Sequence, residues 1–215
     1  MVELIFPVGP DFHLCAGFHD LRPWNPTPGQ RQYKHEAWDS ITPKGAPIKA
    51  PEDGDLYIHR IIRSNRGIKK YTQWPSGISY LFSHKYDDGP DHGYGGCLVL
   101  YGKSGLKHLI AHIEEEDIDR VAKELGISLS HQIIKHDNEG LIVSIHNLGN
   151  SVEVRAGAVI GYVGNRGFST NPHIHYSIWL NGVRVDPAKY YPDLKVGTKS
   201  GKCKSCRSCH NCNGS

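Results

Sequence analysis

Three short segments of the chain place histidine or aspartate at spacings that suit metal chemistry. They are residues 35–39 (HEAWD), 108–112 (HLIAH) and 171–175 (NPHIH). Imidazole nitrogens and carboxylate oxygens are ligands that Zn²⁺ accepts. The chain also holds 14 histidines in 215 residues, and this excess favours metal or proton chemistry because neutral imidazole is the commonest metal ligand.

The three segments differ in how strongly each one indicates a site. The pair His-x-x-x-Asp in the first arises often by chance in so histidine-rich a chain, and the prolines after it favour a loop leading into a strand. In the second, His108 and His112 would share one face of a strand. Two interpretations of His112 remain open there: a catalytic histidine, or a core histidine bonded to a backbone carbonyl. In the third, His173 and His175 lie about 7 Å apart on one strand face. Both could address one ion, and a solvent-facing pair is the alternative.

The elements that must position these residues are mostly short strands. Gly (24) and Pro (13) punctuate the chain, and the patterns between them predict strands over 46–50, 56–62, 78–82, 97–101, 106–110, 141–146, 151–154, 159–163 and 173–180. One helix is predicted over Glu114–Leu125, with acids in its first turn, apolar residues at helical spacing and Gly126 as its stop. No β-α-β alternation is present, so a mainly β (α+β) fold is expected.

The order and the flanks of the three segments resemble peptidase family M23, the zinc metallopeptidases that include lysostaphin-like peptidoglycan endopeptidases. Residues 35–54 look like H-x-G-x-D followed by P-x-G-x-x-V-x-A-x-x-D-G, and residues 93–100 resemble the strand G-Y-G-N-x-V-x-I. Residues 157–176 (GAVIGYVGNRGFSTNPHIHY) resemble G-x-x-I-G-x-V-G-N-T-G-x-S-T-G-P-H-L-H-F, and residues 181–187 continue with N-G and D-P. The resemblance covers about residues 30–190 and implies an antiparallel β-sheet scaffold.

The resemblance implies a role for five residues. His35, Asp39 and His175 would bind Zn²⁺, which leaves a fourth position open for water, as in catalytic zinc sites. His112 and His173 would be catalytic: one accepts the proton of the attacking water, and the other stabilises the oxyanion or protonates the leaving amine. His173 is assigned as the base because its strand position keeps it beside His175.

The chain departs from the family pattern in three residues and two insertions. Ala37 replaces a glycine, Gly96 an asparagine and Asn171 a glycine. Insertions at about 60–90 and 114–150 are expected to rebuild the walls of the groove, so the substrate preference of relatives does not transfer. Four aromatic residues of the first insertion could line the groove or pack the insertion onto the body: Tyr71, Trp74, Tyr80 and Phe82.

Three regions are predicted along the chain: an N-terminal arm over 1–30, a peptidase domain over 31–195 and a tail over 196–215. The arm is rich in proline and is expected to be extended. The tail places four cysteines at uniform C-x-x-C spacing, which predicts a second Zn²⁺ site or an iron–sulfur cluster, with disulfides or an unstructured thiol tail as alternatives. These are Cys203, Cys206, Cys209 and Cys212.

Charge and hydropathy exclude several classes of protein. The chain has 25 lysines and arginines against 22 aspartates and glutamates, a formal net charge of +3 with both signs interspersed. No nucleic-acid partner is therefore expected; a binding role for the tail would rest on its basic residues alone. The apolar runs are too short to cross a bilayer, and the N-terminus does not have the pattern of a secretory signal.

The function predicted from these features is a zinc-dependent endopeptidase that cleaves peptide cross-links or bridges of bacterial peptidoglycan. The lack of a signal pattern predicts a protein made in the bacterial cytoplasm and then carried in a phage virion, as a tail-associated or lysis enzyme, or delivered to the periplasm and cell wall. The cysteine tail would dock it onto phage tail or other assembly proteins. The alternative is a degenerate M23-like structural module, although such modules typically lose ligands and all five key residues are present.

Overall fold

The structure is a computed structural model, and it describes residues 3–21, 34–63, 94–137, 140–146, 151–166, 169 and 171–200. Several predictions lie outside the described residues. They concern the strand over 78–82, the aromatic residues of the first insertion (Tyr71, Trp74, Tyr80 and Phe82) and the four tail cysteines (Cys203, Cys206, Cys209 and Cys212).

The described residues form thirteen strands, one α-helix and one short 3-10 helix. In chain order these are β1 (Phe12–Ala16), β2 (Trp38–Ile41), β3 (Pro47–Lys49), β4 (Gly54–Arg63), β5 (Gly96–Gly102), β6 (Leu106–Ile113), α1 (Glu115–Glu124), β7 (Ser130–Asp137), β8 (Gly140–His146), β9 (Val152–Val154), β10 (Val159–Tyr162), β11 (His173–Leu180), β12 (Val183–Val185), the 3-10 helix (Pro187–Lys189) and β13 (Lys199–Ser200).

One large antiparallel sheet dominates the fold. Its main path runs β13-β1-β2-β11-β6-β5-β4-β8-β7, while β12 pairs with β11, β9 pairs with β4, and β10 and β3 form a separate two-stranded sheet. The prediction of an antiparallel, mainly β fold with one helix is confirmed for the described residues. The strand order also sets β2 and β6 on either side of β11, so the three histidine-bearing segments are neighbours.

The hydrophobic core lies against one face of this sheet. On β11, Ile174, Tyr176 and Ile178 are fully buried in the core, whereas His173 and His175 alternate with them and face the other way. Burying an aliphatic side chain of this size stabilises the fold by about 1.5–3 kcal/mol relative to leaving it exposed. The apolar residues of β11 therefore fix which face the histidines occupy.

The helix α1 follows the predicted pattern closely. Ile118, Val121 and Ala122 are buried in the core, and Gly126 ends the helix with φ of +67°. A positive φ is accessible to glycine without steric penalty. The predicted helix and its stop are confirmed.

Strand formation near both ends of the chain was not predicted. All five residues of β1 are buried, and the strand pairs with β2 on one side and with β13 on the other. The limits of the predicted arm and tail stay predictions.

Within the described residues, no helix is long and apolar enough to cross a membrane. Cys15 and Cys97 are buried thiols outside any disulfide of the described residues, and burial raises the pKa of Cys97.

Candidate functional site

The register of three adjacent strands brings the metal-ligating residues together. His175 on β11 lies opposite Asp39 on β2 and opposite Ala111 on β6. Residues directly opposite each other in an antiparallel pair lie on the same face. Asp39 and His175 therefore share the face that points away from the core, and His35 lies four residues before Asp39 at the entrance to β2.

The three predicted metal ligands converge on one point. His35 Nε2 lies 3.2 Å from His175 Nδ1 and 3.3 Å from Asp39 Oδ1, and His175 Nδ1 lies 3.0 Å from Asp39 Oδ1. Ligands at about 2.0–2.2 Å from a tetrahedral Zn²⁺ are separated from one another by roughly 3.3 Å. Two nitrogens and one carboxylate oxygen at these separations fit a zinc ion.

Partners outside this group hold the ligands in place. The Nδ1 of His35 lies 3.1 Å from the backbone oxygen of Gly17, so that nitrogen carries the proton and Nε2 is left for the metal. The backbone N–H of Gly17 donates in turn to Asp20 Oδ2 at 2.6 Å. Both His35 and Asp39 are buried, which leaves few alternative positions for their side chains.

The protonation states of the site also suit a metal. Burial opposes the ionisation of Asp39, but the charge of His35 and the hydrogen bonds with His175 and His35 hold the pKa of Asp39 well below its usual range. Burial lowers the pKa of His175 to about 4, although Asp39 acts in the opposite direction. An ionised carboxylate and a neutral imidazole are the forms that bind a cation.

His112 reaches the site by leaving the regular geometry of its strand. Leu98 pairs with Ile110 but Gly96 pairs with Ile113, so between these pairs one residue of β5 opposes two residues of β6. This is a β-bulge, and His112 within it has φ of +70°. The expectation that His108 and His112 share one face is therefore wrong, because the extra residue turns His112 to the opposite side.

The environment of His112 fixes its ring. Its Nδ1 lies 2.7 Å from the backbone oxygen of Arg166, and since a carbonyl can only accept, Nδ1 carries the proton and Nε2 is the free acceptor. Burial lowers the pKa of His112 well below the ordinary histidine value, and the charges of His173 and His175 lower it further. The ring centroid of His112 lies 4.6 Å from that of His173 and 5.8 Å from that of His175.

His173 is oriented in the same way. Its Nδ1 lies 2.7 Å from the backbone oxygen of Asn171 and 3.0 Å from Ser169 Oγ, while its Nε2 lies 3.9 Å from Asp39 Oδ1. Both predicted catalytic histidines thus bind a backbone carbonyl through Nδ1, which leaves Nε2 of each ring as an acceptor, and Nε2 of His173 lies near the ligand Asp39. The structure brings together His35, Asp39, His112, His173 and His175, the five residues on which the prediction depends.

Sequence comparison with known families gives a match at the same place. The sequence model of "Peptidase family M23" matches residues 130–187, which contain His173 and His175. This chain carries a segment of peptidase family M23.

Two relatives show how far this M23 likeness extends. The DD-carboxypeptidase/endopeptidase Mpg of Neisseria meningitidis serogroup B is 56% identical over 153 residues, which is 71% of this chain and 22% of that protein. An uncharacterized metalloprotease of Haemophilus influenzae is 32% identical over 74 residues, 33% of this chain and 16% of that protein. The chain thus spans less than a quarter of the length of either relative.

One solved structure that is similar to this chain is the catalytic domain of the antimicrobial peptidase lysostaphin from Staphylococcus simulans. It is 17% identical to this chain, with a TM-score of 0.42, and the match covers 84% of this chain and 92% of that one.

The M23 site also contains an aromatic residue that sequence reasoning did not single out. The ring of Tyr94 lies 5.5 Å from that of His175. Arg184 donates to the Tyr94 hydroxyl at 3.1 Å and pairs with Glu36, the neighbour of the ligand His35. The signal was available, since Tyr94 lies in the segment that resembles G-Y-G-N-x-V-x-I.

Proposed function

We propose that this M23 chain is a zinc-dependent endopeptidase that cleaves peptide bonds of bacterial peptidoglycan. The observation that supports this function most directly is the convergence of His35, Asp39 and His175, whose donor atoms lie 3.0–3.3 Å apart. His112 and His173 flank this group, with Nδ1 of each ring bound to a backbone carbonyl and Nε2 left as an acceptor. Metal-dependent peptide hydrolysis requires a metal site and adjacent groups that transfer protons, and this arrangement provides both.

The reaction divides between the metal and the chain. A Zn²⁺ ion held by the three ligands would polarise the scissile carbonyl and acidify a water molecule. One of the two flanking histidines would accept the proton of the attacking water on Nε2 and then pass the same proton to the leaving amine, which returns the ring to its neutral form. His173 is proposed as the base, and because His112 has the same orientation and is held neutral by burial, it can act as the acceptor as well.

The substrate class is proposed from the relative. Mpg is named a DD-carboxypeptidase/endopeptidase, and the predicted substrate, the peptides of bacterial peptidoglycan, is a substrate for such activities.

The decisive experiment is digestion of purified peptidoglycan by the zinc-loaded chain, with and without a chelator, followed by mass spectrometry of the new amino termini. We expect new termini that vanish with the chelator and return with added Zn²⁺. Asp39→Ala should lose both the zinc and the hydrolysis, while the matched control Asp193→Ala, an exposed aspartate, should keep both. Digestion that survives the chelator or Asp39→Ala would contradict the proposal. If the folded chain neither binds zinc nor digests peptidoglycan, the result would favour the alternative, a degenerate M23-like structural module.

We also propose that the segment containing Cys203, Cys206, Cys209 and Cys212 binds a second Zn²⁺ or an iron–sulfur cluster. The support is the uniform C-x-x-C spacing. Metal analysis of the full chain and of a chain ending at Ser200 tests it. We expect the chain that ends at Ser200 to contain one zinc fewer than the full chain, or to lack the iron and the brown colour of the full chain. Equal metal content in the two chains would exclude the second metal site.

The predicted place of action is likewise a proposal, namely a phage tail, a lysis role or delivery to the periplasm and cell wall. Immunodetection of the chain in purified virions of its source, against detection in cell-envelope fractions, would separate these routes.

A further inference from the structure

Glu114 lies where three segments meet, and each segment leads to a residue of the site. It follows His112 by two residues along the chain, it contacts Lys44, which lies five residues after Asp39, and it contacts the loop over residues 164–166 that precedes His173. The following inference rests on the proposed function, since it concerns how His112 is prepared for that reaction.

The carboxylate of Glu114 is buried, with 6% of the residue exposed, and it has several partners. Its Oε1 accepts the backbone N–H of Asn165 at 3.1 Å and lies 2.7 Å from Lys44 Nζ. Its Oε2 lies 3.8 Å from Arg166 Nε. Burying a carboxylate is costly unless it is paired and hydrogen-bonded, so this arrangement fixes the loop against Glu114.

The side chain of Glu114 is not used by the helix it precedes. Glu114 is the N-cap residue of α1, yet its side chain makes no capping hydrogen bond to the helix. A short polar side chain at that position, such as that of Asp or Ser, commonly accepts an N–H of the first turn. Here the Glu114 carboxylate accepts the N–H of Asn165 instead, which indicates a function in the loop.

The loop that Glu114 holds lies directly on the backbone of His112. A Cβ on Gly164 would come within 2.4 Å of the His112 oxygen and 2.6 Å of the Glu114 nitrogen, so the contact needs a glycine. The Arg166 N–H donates to the His112 oxygen at 3.3 Å, and the Arg166 oxygen accepts from His112 Nδ1 at 2.7 Å. Any displacement of this loop would move the carbonyl that orients the His112 ring.

We propose that Glu114 is a positioning residue for His112. By fixing residues 164–166, it keeps the Arg166 carbonyl on Nδ1 and so keeps Nε2 of His112 directed at the reacting groups. The same loop extends toward the second histidine, because Asn165 Oδ1 accepts from Ser169 Oγ at 2.7 Å and Ser169 Oγ lies 3.0 Å from His173 Nδ1. Glu114 also starts the segment inserted relative to the family pattern, which couples that insertion to the site.

The kinetic test compares two variants of Glu114 with a matched control. Glu114→Ala should lower kcat by about 10- to 100-fold, the usual effect of removing a partner that orients a catalytic group, with KM changed less than about threefold and zinc content unchanged. Glu114→Gln should recover most of kcat, because its amide oxygen can still accept the Asn165 N–H. Glu116→Ala, an exposed acid two residues further along, should behave as the unmodified chain.

A spectroscopic readout makes the test independent of activity. In the zinc-loaded chain with ¹⁵N-labelled histidine, the signals of His112 are those lost in His112→Asn, and they should show the Nδ1–H form with slow exchange of that proton. Glu114→Ala should convert them to a tautomer mixture or to fast exchange. Retention of the His112 signals and of kcat in Glu114→Ala would overturn the inference. If Glu114→Ala does not fold, Glu114→Gln decides: loss of kcat with unchanged His112 signals contradicts it.

Failure of the proposed function is distinguishable from failure of this inference. If the unmodified chain does not digest peptidoglycan but Glu114→Ala still alters the His112 signals, the positioning role stands and the proposed reaction does not. If the unmodified chain is active and neither variant changes kcat or the spectrum, the positioning role is excluded.

Discussion

The two faces of the central strands use histidine in opposite ways. On the core face, His108 is fully buried and both its nitrogens have side-chain partners: Nε2 lies 2.8 Å from Glu52 Oε1 and Nδ1 lies 2.9 Å from the Tyr176 hydroxyl. On the site face, His112 and His173 each bind one backbone carbonyl through Nδ1. The comparison shows a difference in the second ring nitrogen. In the structural histidine both nitrogens bind side chains, whereas in the functional histidines Nδ1 binds a backbone carbonyl and Nε2 is left for the reaction.

The core-face network extends well beyond His108. Ser104 donates to Glu52 through both its N–H and its hydroxyl, at 2.9 and 2.7 Å. At the other end, the hydroxyls of Tyr176 and Tyr191 lie 3.1 Å apart, and Tyr191 donates to the backbone oxygen of Ile5 at 3.0 Å. The network therefore ties the central strands to the N-terminal segment and contributes to stability.

The largest effect that would test the comparison is expected at His112. His112→Gly and His112→Ala should both lower kcat/KM for peptidoglycan by about 10²- to 10⁴-fold, because a proton-transfer group is lost. His112→Gly should nevertheless be more stable than His112→Ala by about 0.5–1 kcal/mol, since alanine is strained at the φ of +70° found here. Urea denaturation measures the difference, and greater stability of the alanine variant would refute the strained backbone.

Removal of His108 should affect stability and leave the chemistry unchanged. His108→Leu should cost about 3–5 kcal/mol of unfolding free energy, because it leaves the buried Glu52 carboxylate without its ring partner. Zinc content and kcat of the folded fraction should stay within about twofold of the unmodified chain. The double variant His108→Leu/Glu52→Gln should lose less than the sum of the single variants. A tenfold loss of kcat would show that the two faces are not separate.

The pH dependence of stability sharpens the same contrast. Burial opposes the ionisation of Glu52, but hydrogen bonds from His108 and Ser104 outweigh it and lower its pKa below the ordinary value. Because the pKa of Glu52 is lower in the folded state than in the unfolded chain, where it is about 4.3, ionised Glu52 stabilises the fold at pH values above about 4.3. This contribution is lost as the pH falls through the pKa of the folded state. Glu52→Gln should be less stable at pH 7 and should lose less stability from pH 5 to pH 3, measured by urea denaturation at each pH. Parallel curves would disprove the assignment.

The smallest effect is expected at the end of the network. Tyr191→Phe removes the hydrogen bonds to Tyr176 and to the Ile5 oxygen, and it should cost about 1–2 kcal/mol in stability. Tyr190→Phe, the adjacent and more exposed tyrosine, is the matched control and should cost less. Equal losses in the two variants would indicate that the hydroxyl of Tyr191 has no special role.

Part of the fold and the site could be predicted from the sequence because it follows regular periods. The alternation in β11 placed His173 and His175 on one face, and the helical spacing and Gly126 located α1. The same alternation gave the wrong face for His112, because a bulge inserts a residue that no period-two pattern encodes. β2 is four residues long (WDSI), too short and irregular to be detected before its partners are known.

Glu114 shows a further limit of sequence reasoning. Its acidic character was interpreted as the favourable charge of a helix start, whereas its contacts are with Asn165, Lys44 and Arg166. These partners are distant in sequence and meet through the packing of three loops. No local pattern contains that information.

The bulge at His112 also determines where this scaffold can change length. A single inserted or deleted residue between Leu106 and Ala111 would exchange the two faces of β6, turning Ile110 to the site face and His108 away from its partners Glu52 and Tyr176. After Ile113 the pairing of β6 with β5 and β11 has ended. The helix and hairpin that follow can therefore change in length during evolution without altering the zinc ligands, provided that Glu114 still holds residues 164–166, so the surfaces beside the site can vary while the ligand geometry stays the same.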